Sequence, residues 1–120
     1  MTTRTLFTSD RRFVMVSYSA SHGLLLLRSR KDLSSSKRLD LLFQDVRALE
    51  IRSWFEGIEV TEVDPADLAH FSSNPAQMIE PGNRAYRLTG KNWSGYVVGG
   101  LFQKGEDDLG PMDPSSLTGR

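Results

Sequence analysis

The chain has no cysteine and only two histidines among its 120 residues. Without cysteine there is no disulfide framework, no thiolate nucleophile and no zinc–thiolate centre. The longest uninterrupted apolar run is Leu24 to Leu27, far short of the roughly 20 residues that span a bilayer as a helix. Met1 to Asp10 lack the basic-then-apolar order of a secretory signal. We therefore expect a soluble cytoplasmic protein with no transmembrane segment, in which the sequon Asn92-Trp93-Ser94 is a chance match. There is no net charge either, so the broad electrostatic footprint of a nucleic-acid binder is missing.

Motifs that announce chemistry are absent as well. No Gly-x-Ser-x-Gly elbow is present. Gly99-Gly100 has no Lys-Ser/Thr continuation to make a phosphate loop. Glu106-Asp107-Asp108 is consecutive rather than spaced as a calcium loop requires, and reads as a solvated tail. We expect no metal and no cofactor.

What is present is strand periodicity. Leu39, Leu41 and Phe43 alternate with Asp40 and Gln44; a little further on, Leu49 and Ile51 alternate with Glu50. A period of two describes a half-buried strand, and places the chain among antiparallel, mainly β domains. Further strands are expected at Phe13–Tyr18, Leu24–Arg28, Arg38–Phe43, Val46–Trp54, Ile58–Val63, Ala85–Thr89 and Gly95–Gln103. Four consecutive leucines imply that both faces of the second strand are covered. Val46 and Ala48 fall out of phase with Leu49 and Ile51, which a one-residue bulge reconciles. Gly99-Gly100 inside a strand predicts a bend or a close backbone approach. Asp64-Pro65-Ala66-Asp67 opens one short helix near residues 65–73, with Asp64 as N-cap and Pro65 in the first turn. About seven strands and one helix suit a rolled sheet or partly open barrel. Residues 1–104 form one β-rich domain, and 105–120 a polar, flexible tail.

The pattern Ser21-His22-Gly23-Leu24-Leu25-Leu26-Leu27-Arg28-Ser29, then Asp40-Leu41-Leu42-Phe43-Gln44-Asp45-Val46-Arg47-Ala48-Leu49, then Gly95-Tyr96-Val97-Val98-Gly99-Gly100, resembles a family of small bacterial proteins of unknown function. The resemblance implies a bacterial, stand-alone protein and carries no activity. The meander of strands also resembles, in architecture alone, a pleckstrin-homology-like roll. Such rolls end in a helix, for which residues 104–120 are too polar.

Charge is unevenly placed: ten Lys/Arg against five Asp/Glu in residues 1–55, and five against ten in 56–120. Cross-strand pairing of basic and acidic strands accounts for this at a few tenths of a kcal/mol per pair. Arg28, Arg30, Lys31, Lys37 and Arg38 flank the loop between the second and third strands. If these strands form a hairpin, the five cations gather at its tip and offer a site for an acidic protein or anionic lipid. Trp93 and Tyr96, at the last hairpin, are candidate contact residues, since aromatics anchor interfaces. Trp54, in the fourth strand, is expected in the core. His22, Asp40 and Tyr18 are the polar groups available to a pocket in the mouth of the roll. The plainer reading makes His22 a turn residue and leaves His70 on the exposed side of a short helix.

These residues favour a non-enzymatic protein-binding module of accessory or immunity type, with an unknown protein partner and an edge strand that offers a route to a homodimer. The alternatives are a small-molecule-binding or hydrolytic protein using the mouth of the roll, and an anionic-lipid binder using the 28–38 tip.

Overall fold

The structure, a computed structural model, describes residues 3–32 and 35–117, with Met78 by its backbone alone. The 31–37 loop and the tail to 120 therefore lie partly outside the described residues. The described chain is mainly β: eight antiparallel strands in one sheet, in the order β4-β7-β6-β5-β1-β2-β3-β8. The strands are β1 (Arg4–Ser19), β2 (Leu24–Ser29), β3 (Arg38–Phe43), β4 (Ala48–Glu50), β5 (Trp54–Val63), β6 (Arg84–Gly90), β7 (Trp93–Gly99) and β8 (Phe102–Asp107).

The sheet rolls without closing. Its end strands, β4 and β8, do not pair with each other. Yet β3 runs on into β4, and β7 into β8, and the two connections lie side by side. Gln44 N–H donates to the Leu101 carbonyl at 2.8 Å, Gly100 N–H to Gln44 at 2.9 Å and Arg47 N–H to Val98 at 2.7 Å. A side chain on Gly99 would meet the carbonyl oxygens of Gln44 and Asp45 at 3.2 Å, so glycine lets the two backbones approach. The Tyr86 hydroxyl, donating to the Gly100 carbonyl, ties β6 to the same seam. Burial, the largest influence on that phenol, raises its pKa.

Inside the roll, Phe13, Leu25, Leu27, Leu41, Phe43, Phe55, Val60, Leu88 and Val97 form the main core. Phe13 and Phe55 stack at 6.1 Å between ring centres, and Phe55 meets Trp93 at 4.5 Å. Outside the roll, a second cluster forms where Val63, Ala85 and Val98 take Leu68 and Phe71 from the 64–79 segment. On the other side, Leu26 and Leu42 are buried on the outer face of β2 and β3. There residues 108–117 fold back over the sheet. The four-leucine strand thus has both faces covered, as its composition predicts.

Several sequence expectations need correction. The expected strand Val46–Trp54 is only β4, Ala48–Glu50, paired with β7 in unbroken register and without the expected bulge, and Gly95–Gln103 is two strands, β7 and β8. The helix near 65–73 is a single 3-10 turn, Pro65–Leu68, followed by a second at Pro75–Met78. Asp64 does cap it, its carboxylate accepting from Ala66 N–H at 3.2 Å. The first strand begins at Arg4, nine residues before Phe13; Thr5, Thr8, Ser9 and Asp10 hide the alternation, and two bulges break it. The break expected between strands ending at Trp54 and starting at Ile58 does not exist: Phe55-Glu56-Gly57 is the interior of β5, where Gly57 has φ of 73°. An L side chain there is strained. This bulge, opposite Ser9–Arg12, shifts the phase of β5 by one residue.

Replacing Phe55 by Ala removes a fully buried ring that touches two other aromatics, and is expected to cost about 3–5 kcal/mol in urea unfolding. Gly95→Ala would drive a methyl group into the Glu50 carbonyl oxygen. We expect it to cost more than the roughly 1 kcal/mol of an ordinary strand substitution, read in the same assay.

Candidate interaction surface

The outer face of β2, β3 and β8 carries buried charge beside Leu26 and Leu42. Register sets Arg28 opposite Asp40, and Arg38 opposite Asp107. Arg28 grips Asp40 with two bonds, Nε to Oδ1 at 2.7 Å and Nη2 to Oδ2 at 3.0 Å. Arg38 lies 3.8 Å from Asp40 and donates to Asp107 at 2.9 Å. Its Nε is a further 2.8 Å ionic contact of Asp107, too poorly aligned to count as a hydrogen bond. Two cations face two anions, which is what makes burial of Arg28, Arg38 and Asp40 tolerable.

The guanidinium groups also hold the chain that covers them. Arg38 donates to the carbonyls of Gly110 and Asp113, both at 2.8 Å, and of Pro114 at 3.0 Å. Arg28 donates to Pro111 at 2.9 Å. Gly105, opposite Asp40, leaves the space that Leu117 fills. Burial works to lower the Arg38 pKa, but the bond to Asp107 and the charges of Asp40, Asp107 and Asp113 prevail and raise it. At Asp107 burial works upward, and bonds from Arg38, Leu109 and Ser116 prevail and lower it.

This arrangement redistributes the basic group expected at a hairpin tip. Arg28 and Arg38 are buried and committed to carboxylates and carbonyls. Arg30, Lys31 and Lys37 remain exposed. Asp107, expected in a solvated acidic tail, is a strand residue in an ion pair. β8 runs three residues past the boundary expected at 104.

The pocket candidates do not converge. Asp40 is fully buried with both oxygens taken by Arg28. His22 is exposed, its Nδ1 within 3.2 Å of Ser19 and 3.1 Å of Ser21 hydroxyls, which matches the turn-residue reading. Tyr18 is partly exposed at the end of β1, beside neither. No group of three or more His, Asp or Glu among the described residues is placed to hold a metal ion. No helix among them is long and apolar enough to cross a membrane.

The aromatic expectations are nearly reversed. Trp93 packs on Phe55, with its indole N–H buried. Tyr96 is buried, and its hydroxyl pairs with Ser73 at 2.7 Å. Trp54, expected in the core, is 50% exposed. The Gly57 bulge is the reason. Trp54 has the same parity as the buried Ile58 and Val60, but the phase shift turns Phe55 inward and Trp54 out.

Trp54 does not stand alone. The Arg12 guanidinium lies 4.7 Å over its ring, and Val14 is its partner on β1. From Val14 the surface continues through Pro111 to Val16 and Met112, which are 44% and 92% exposed. Val16 stands out because it is the bulged residue between Met15 and Ser17. Arg12, Arg30 and Lys31 border this strip together with Asp32. None of Trp54, Arg12, Val16 or Met112 was singled out by sequence as a contact residue. The available signal was the adjacent pair Trp54-Phe55, of which a strand covered on one face alone buries a single side chain.

No family model, no curated protein and no solved structure matches the chain. Its class is defined by its own architecture: an open antiparallel roll, each outer face covered by an irregular segment.

Asp40→Asn leaves Arg28 buried without its counter-charge, and should cost about 3–5 kcal/mol by chemical denaturation. Trp93→Ala should destabilise by about 3 kcal/mol, whereas Trp54→Ala should stay within about 0.5 kcal/mol. Asp107 has a folded pKa below its unfolded value of about 3.9, so its stabilisation is full above that pH. It is lost as pH falls through the folded value. Asp107→Asn should therefore flatten the fall in melting temperature below about pH 4, relative to the parent protein.

Proposed function

We propose that the protein is a non-enzymatic interaction module that captures a protein partner through the strip running from Trp54 and Arg12 to Val16 and Met112. The observation that carries this reading is the half-exposed Trp54 held under Arg12. A large aromatic kept rigid at the surface, with apolar neighbours and cations at its border, has the composition of an interface centre. The cations Arg12, Arg30 and Lys31 favour an acidic partner surface.

The strip is built on paired strands and on a segment fixed by Arg28 and Arg38, so little ordering entropy is lost on binding. In this reading the buried ions serve function indirectly, by presenting Pro111 and Met112 beside β1. The 28–38 tip retains three of its five expected cations for lipid or protein, which weakens the lipid alternative. The accessory or immunity-type role belongs to the same proposal, with its partner defined by acidity.

Affinity capture from the source cells, with the parent protein, Trp54→Ala and Arg12→Glu side by side, tests it. Both variants should fold, by circular dichroism, and lose a partner that the parent retains. Equal recovery of every bound protein by all three would overturn the assignment to this strip.

A further inference from the structure

A second surface is built differently. From Arg4 to Arg12, β1 pairs only with β5, because its ladder to β2 begins at Val14. Across the open side of the roll, β8 pairs only with β3. Among the described residues no backbone hydrogen bond joins β1 to β8. Two strands thus face each other over a groove, each with one edge unpaired.

The groove has an apolar floor; its rim is mixed at one end, where Arg11 and Glu106 lie, and cationic at the other. Phe7 and Leu39 floor one end, and Leu6 and Phe102 the other. Lys104 belongs to both ends, its ammonium 5.5 Å over the Phe7 ring. Arg4 and Arg84 border the second end, 62% and 50% exposed, and share a single carboxylate, Glu62, at 2.9 and 3.8 Å. Three cations there face one anion.

Lys104 is opposite Leu41 in the ladder, on the inward face of an edge strand. A charge in that position opposes casual pairing of the edge, because a neighbouring strand would have to desolvate it. The obstacle vanishes for a strand that brings a carboxylate. A second copy of β8 would bring another Lys104 to the same edge.

We propose that this groove accepts an extended acidic peptide segment of a partner protein, added as a strand to the free edge of β8. Backbone bonds to β8 supply affinity. An apolar side chain seats on Phe102 and Leu6, and a carboxylate two residues along meets Lys104 and the Arg4–Arg84 pair, following the alternation of strand side chains. The site is distinct from the Trp54 strip and stands or falls without it.

The test uses the full chain and a labelled, end-capped peptide, Thr-Val-Thr-Glu-Thr-Glu-Thr, with its counterpart carrying Lys for Glu. Fluorescence anisotropy should report binding of the acidic peptide and not the basic one. Lys104→Glu, at an exposed position, should weaken binding by about tenfold or more. Arg52→Glu, an equal charge change elsewhere, should not. Hydrogen exchange should show new protection within Phe102–Asp107 when the acidic peptide is added. Equal binding of both peptides, equal effects of the two substitutions, protection confined to other strands, or no binding near roughly 1 mM peptide would each overturn the proposal. So would protection of β8 that appears with protein concentration alone, which would identify a second copy as the occupant.

Discussion

Arg28 and Arg38 hold the covering segment of this protein in place, and much else follows from that. A guanidinium buried on the outside of a sheet is costly unless every donor is directed. Here most of the donors are directed, to Asp40, Asp107 and four carbonyls of residues 110–114, and the Arg38 Nε keeps its ionic contact with Asp107. The segment that carries those carbonyls is polar and rich in proline and glycine, with few side chains suited to a hydrophobic core. It is fixed instead by its backbone. That is why so short a chain can bury Leu26 and Leu42 on the outer face while Phe13, Phe43 and Phe55 fill the inner one.

The other outer face is solved by different means. Leu68, the last residue of the first 3-10 turn, and Phe71, on the irregular chain that follows it, seat against Val63, Ala85 and Val98. Arg47, whose bond to Asp45 and proximity to Glu80 raise its pKa, bridges the seam to the end of that segment. A rolled sheet has two outer faces to protect. One is covered by apolar insertion, the other by cation-to-carbonyl bonds. Both coverings leave the rims of the roll exposed, and it is on the rims that binding is proposed: one beside the Arg28–Arg38 covering, one where β1 and β8 fail to meet.

How legible was this in the chain? β3 was readable to the residue, because Arg38 and Asp40 alternate with Leu39, Leu41 and Phe43, and polar Gln44 follows. The coverage of the leucine strand was readable as well. The site was not. Arg28 and Arg38 look like surface cations in one dimension, since nothing local tells a buried guanidinium from a solvated one. The carboxylate that neutralises Arg38 is nearly seventy positions away, at Asp107, and becomes its neighbour only through the β3–β8 ladder. Trp54 and Trp93 exchanged roles for an equally non-local reason, the bulge at Gly57 opposite Ser9–Arg12.

Period-two patterning, the lack of cysteine and the Asp64-Pro65 cap determined by themselves the class of the fold, the approximate place of most strands and the capped turn, because these depend on residues within a few positions of one another. Tertiary structure decided which side of a strand faces in, which charges are paired, and which aromatic stays outside. A single bulge reverses a face, and an ion pair requires two strands to find their register; neither event is written in any short stretch of sequence.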